Sequence, residues 1–122
     1  MPAIKPDFTI FHAPLADHLG NVYLGRQQEL KLLAHASKQT LVTVEEIVNT
    51  DLLSDSQTAP ATIPSFYLSN IAKVIKGAHP LNLPEYYETD LGSIQSYASA
   101  ARSTAGFMAW LKETLTINQT AA

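Results

Sequence analysis

The 122-residue chain contains no cysteine, which excludes disulfides, thiolate metal sites and a cysteine nucleophile. Charged residues make up only 16% of it, against about 25% in ordinary domains, so a thinly charged surface that includes a contact face is expected. The formal charge is −3, and the basic footprint that nucleic acid demands is missing. No apolar run approaches the ~20 residues of a membrane span. The amino end, MPAIKP, lacks the pattern of a signal peptide, so a cytoplasmic protein without membrane contact is the expectation. His12, His18, His35 and His79 fall on four different predicted elements, with no metal-ligand spacing among them. P-loop, G-x-G-x-x-G and G-x-S-x-G motifs are also absent. Neither a metal nor a tightly bound cofactor is expected.

What is present is organised around LVTVEEIV, residues 41–48. An unbroken aliphatic and β-branched run of this kind reads as a strand buried on both faces. Its acids, Glu45 and Glu46, fall near the strand's end, and ligands of open α/β sheets bind at the carboxyl ends of strands. Adjacent residues of an extended chain face opposite ways, so at most one of the pair can meet a cleft. That one is either a catalytic carboxylate or a group hydrogen-bonded to backbone that holds a loop.

Around this strand the chain reads as a soluble α/β unit, a single domain or part of one over residues 1–122. Residues 7–13 form a predicted strand bounded by Pro6 and Pro14, with Phe8, Ile10 and His12 on one face. His12 is either a ligand-binding group or a hydrogen-bonded histidine at the sheet rim. Asp17, Gly20 and Asn21 make a turn: Gly20 and Asn21 tolerate positive φ, and Asp17 can accept backbone N–H bonds. Residues 22–24 form a strand stub and residues 27–37 a helix, with Leu30, Leu33, Ala34 and Ser37 on its inner face. Strand, helix and central strand follow one another as in a right-handed βαβ crossover. The loop from residue 49 to 64 is anchored by residues 65–68.

Residues 71–76 read as a strand near the sheet's edge, ending in Gly77, Ala78, His79 and Pro80. Gly77 permits close approach of a ligand to backbone and His79 adds a side chain of the kind that moves protons in binding sites, so this rim turn is either a ligand site or a plain strand end. Tyr86 and Tyr87 are expected to pack on the body or on a partner. Two helices follow, capped by Asp90 and Ser103, with Trp110 in a core or interface and residues 116–122 frayed.

Four blocks of this chain together resemble the A-type subunit of the family I CoA-transferases, in the glutaconate/3-oxoacid branch. They are His12-Ala13 with Ala16-Asp17-x-x-Gly20-Asn21, then LVTVEEIV, then Ile63-Pro64-Ser65-Phe66-Tyr67, and last Gly77-Ala78-His79-Pro80. The resemblance implies a three-layer α/β/α, Rossmann-like fold. This chain would supply its carboxyl-terminal half, as a mostly parallel sheet with a helical carboxyl-terminal tail. It further implies a function shared with partners: a chain like the family's B-type subunit, which carries the nucleophilic glutamate, and the missing amino-terminal half, in an oligomer. CoA would be a substrate, passed from an acyl-CoA to a carboxylic acid through a glutamyl-CoA thioester. No catalytic residue is expected in this chain, since neither Glu45 nor Glu46 matches the nucleophile's motif. Gly77, Ala78, His79 and Glu45 are the cleft candidates, and Asp17, Gly20 and Asn21 the structural turn. The alternatives are a non-catalytic association module of the same fold, or part of a hydrolase relative that opens a ring of a CoA-bound substrate.

Overall fold

A computed structural model describes the chain through residue 120, and its side chains through residue 116. The described residues form two compact units, one of residues 1–78 and one that begins at His79.

The first unit is built on one five-stranded sheet of order β4-β2-β1-β3-β5. Its strands are β1 (Phe8–Asp17), β2 (Val22–Tyr23), β3 (Gln39–Val48), β4 (Thr62–Ile63) and β5 (Asn70–Lys73). The long strands β1 and β3 run parallel in a register that places His12 beside Thr43, and β5 pairs parallel to β3. The stubs β2 and β4 add antiparallel pairs on the far side of β1, so the sheet is mixed, with its long pairings parallel.

The strand from residue 7 does not end before Pro14 as expected. It continues to Asp17, and the β1–β3 ladder skips Pro14 and resumes at Leu15↔Glu46. A proline removes one N–H from a ladder, and the pairs on either side of it here are enough to carry the strand through.

Helix α1 (Glu29–Ala36) is shorter than the periodicity predicts. It closes one face of the sheet: Ala34 is buried together with Ala13, Val22, Leu24, Val42, Val44 and Ile63, and Phe11, Leu30 and Ile71 pack against them. Leu33, expected inward, is 44% exposed.

The other face is the main departure from a strand buried on both sides. Leu41 and Thr43 are only half-buried there, and the β1 residues of that face, Phe8 and Ile10, are 59% and 71% exposed. One helix covers one face of a parallel pairing; burial of both requires a second layer.

The second unit carries α2 (Leu91–Ala100) and α3 (Thr104–Thr120). Asp90 caps α2 by accepting from Ser93 N–H, and Ser103 accepts from Gly106 N–H at the start of α3, as expected of both. Tyr97, Phe107 and Trp110 form an aromatic cluster between the helices, with Tyr97 edge-on to Trp110 at 5.1 Å. Helix α3 is described as far as Thr120, and residues 121–122 of the tail expected to fray from residue 116 lie outside the described residues. Among the described residues, no helix is long and apolar enough to cross a membrane.

Candidate functional site

Parallel pairing of β1 with β3 brings together residues more than thirty positions apart. His12 stands beside Thr43 in register, and Glu45, two residues on, shares their face by the period of two. His12 Nδ1 lies 2.8 Å from Thr43 Oγ1, and Nε2 lies 2.8 Å from Glu45 Oε1. Both side chains are nearly enclosed, at 8% and 7% exposure. An ionised carboxylate only accepts, so it pairs with the tautomer of His12 whose Nε2–H donates the hydrogen bond. The chain leaving β5 folds onto this pair: Lys76 N–H donates to Glu45 Oε2 (3.0 Å) and Gly77 N–H to Oε1 (3.2 Å). Of the acidic pair, Glu45 is buried and Glu46 exposed, as alternation requires.

The predicted cleft residues therefore divide. Glu45 and Gly77 meet directly, and Ala78 is the last residue of the first unit. His79 begins the second unit, where its Nε2 lies 3.0 Å from Asp90 Oδ2 on the surface. The Ser93 backbone N–H, the His79 side chain and the Ser93 hydroxyl, in that order, hold the Asp90 carboxyl well below the usual carboxylate range. Among the described residues, no group of three or more potential ligands could hold a metal ion.

The predicted turn is the second polar centre. Asp17 is 3% exposed, and its carboxylate accepts from Leu19 N–H, Asn21 N–H, the Asn21 amide and Leu52 N–H at 2.9–3.0 Å. Burial pushes its pKa up, but hydrogen bonds from the Asn21 side chain, Leu52, and the Asn21 and Leu19 backbones outweigh that and hold it low. Asn21 Oδ1 in turn accepts from Ser65 N–H (3.0 Å), and Gly20 adopts φ +86° between them. One buried aspartate thus fastens β1, β2 and the loop across residues 52–65.

On the α1 side of the sheet, Lys31, Leu32, His35, Pro64 and Tyr67 line an open groove of about 390 Å³. It is mainly apolar and does not include the histidine–glutamate cluster.

Residue-by-residue reading of the sequence did not find the pairing of His12 with Glu45. The only signal for it was period-two placement of polar groups in two strands whose register the sequence does not state.

No family model matches the sequence. The chain is 38% identical over 120 residues to the A-type subunit of the 3-oxoadipate CoA-transferase of Pseudomonas knackmussii, a match of 93% of this chain and 39% of the relative. It is 29% identical over 115 residues to the A-type subunit of the glutaconate CoA-transferase of Acidaminococcus fermentans, covering 93% of this chain and 35% of that one. The crystal structure of the latter species' glutaconate CoA-transferase superposes with a TM-score of 0.78 at 28% identity, over 88% of this chain and 34% of the other. A crystal structure of the decarboxylase AibA/AibB C56S variant superposes with a TM-score of 0.80 at 31% identity, over 94% and 41%.

The mixed sheet, its long parallel pairings and its helices are an α/β fold of the CoA-transferase type. Over the matched residues the chain is similar to the A-type subunits of CoA-transferases, in sequence and in fold. It spans at most about two fifths of the length of these relatives.

Proposed function

We propose that this chain is part of a CoA-transferase, in the role of a portion of the A-type subunit. The observation that carries this reading is the match of 93% of the chain to the A-type subunits of two enzymes named as CoA-transferases. The half-bare sheet supports the view that the portion is incomplete by itself: Phe8 and Ile10 occupy a face that a second layer would cover. That layer would come from the amino-terminal half of an A-type subunit, and a chain like the B-type subunit would complete a cytoplasmic oligomer.

In the proposed reaction a glutamate of the partner attacks the thioester carbonyl of an acyl-CoA and expels the CoA thiolate, leaving a mixed anhydride. The thiolate attacks the glutamyl carbonyl, releasing the first acid and forming a glutamyl-CoA thioester. The acceptor carboxylate repeats these steps in reverse and leaves as its own CoA thioester. CoA enters and leaves as a substrate, with no tightly bound cofactor. Of the four candidates, Glu45, Gly77 and Ala78 are the residues of this chain assigned to the cleft rim, and none is assigned as nucleophile.

A second reading is favoured by the decarboxylase AibA/AibB, whose fold matches as well as the transferase's. One experiment separates the two. The chain is co-expressed with the products of neighbouring reading frames, and the purified assembly is supplied with acyl-CoA and an acceptor acid. Exchange of CoA between acids, with hydroxylamine trapping of a glutamyl thioester on the partner, is the expected result, and the chain alone is expected to be inactive. Carbon dioxide release without exchange supports the decarboxylase reading. CoA transfer by the isolated chain would overturn the assignment of the nucleophile to a partner.

A further inference from the structure

We propose that His12 is a positioning residue, which through Glu45 sets the backbone of Lys76 and Gly77 where the chain leaves the sheet. Glu45 Oε1 receives two donors at once, the imidazole Nε2–H of His12 and the N–H of Gly77, while Oε2 receives the N–H of Lys76. The imidazole is held at its other nitrogen by Thr43, so the ring cannot swing without losing a second bond. It also acts as a steric floor. A Cβ built on Gly77 would overlap Nδ1 and Cε1 of His12, so the turn lies against the ring with room for nothing larger than glycine. Lys76 immediately before it adopts φ +56°, a conformation a lysine rarely holds unaided. Within this turn the cluster supplies the compensating interactions, two hydrogen bonds and a packing surface.

A clamp of this kind would be sufficient explanation for a strand end that does nothing else. Its functional consequence rests on the reading above, in which Gly77 and Ala78 lie at the cleft rim. There the latch fixes the backbone that a CoA thioester approaches, and His12 acts on substrate only through Glu45 and the turn.

Amide hydrogen exchange on the full chain tests the latch. His12→Ala is expected to speed exchange at Lys76 and Gly77 by about tenfold or more, the scale of one lost hydrogen bond. His12→Gln, whose amide can still donate to Glu45, is expected to restore part of the protection. Gly77→Ala, which pushes on the ring and leaves every charge in place, is expected to expose the same two amides. Protection at Val42 and Val44 in β3 reports that the sheet is intact. Unchanged exchange at Lys76 and Gly77 in both His12→Ala and Gly77→Ala would overturn the latch.

In an assembled, active enzyme, His12→Ala is expected to raise KM for acyl-CoA several-fold with kcat little changed, and His12→Gln to recover most of it. An unchanged KM alongside faster exchange would overturn the rim placement and leave a structural clamp. If no assembly transfers CoA, the proposed function fails, while the exchange measurement still decides the latch.

Discussion

Asp17 shows how much a single side chain can hold. Its carboxylate is buried and receives four hydrogen bonds, which keep its pKa below that of an unfolded aspartate. A depressed folded pKa contributes stability that is present above the unfolded value, near ~3.9, and lost as pH falls through the folded value. Urea unfolding of the chain is therefore expected to show a loss of stability below about pH 4 that Asp17→Asn reduces. At neutral pH the same substitution is expected to cost about 2–3 kcal/mol, because an amide nitrogen replaces an acceptor in a buried site. Gly20→Ala is expected to cost about 1 kcal/mol, since φ there is +86° and the new Cβ would lie 3.2 Å from Ser65 Cβ. The turn of Asp17, Gly20 and Asn21 was legible because its residues are adjacent and their chemistry is local. Its reach to Leu52 and Ser65 was not, because those donors come from 35 and 44 positions further along.

At the level of elements, β3 divides the sheet into a packed face and a bare one. Val44 is fully enclosed on the packed face, while Ile10 on β1 points the other way and is 71% exposed. Val44→Ala is expected to cost about 2 kcal/mol through lost burial and a residual cavity. Ile10→Ser is expected to change the stability of the isolated chain by less than about 0.5 kcal/mol, as an exposed substitution should. Comparable losses at both positions would show that Ile10 is covered in solution. Periodicity located β3, α1 and both helices of the second unit. It misjudged the end of β1, because whether a proline stops a strand depends on the neighbouring ladder, and that ladder is a tertiary fact.

For the molecule as a whole, the chain covers 34–41% of the relatives compared above, and one face of its sheet is bare. Ile10→Asp is expected to abolish co-purification with the proposed amino-terminal half while leaving the chain's own unfolding curve in place. Retention of the complex by that variant would place the contact elsewhere. The likeness to CoA-transferase A-type subunits was legible from four short blocks in order, which take in the Asp17 turn, most of β3 and the chain leaving β5.

The amino-acid sequence by itself determined the class of element at most positions, the Asp17 turn, the absence of thiol chemistry and the kinship with CoA-transferases. The first three follow from local sterics, periodicity and composition, which act between neighbours in the chain, whereas the kinship came from the resemblance of four blocks to a known family. Only the tertiary structure decided that His12 meets Glu45, that Gly77 rests on the imidazole, and that His79 bonds to Asp90. The first two contacts depend on the register of parallel strands, which is set by how the buried faces pack rather than by any residue's own preference.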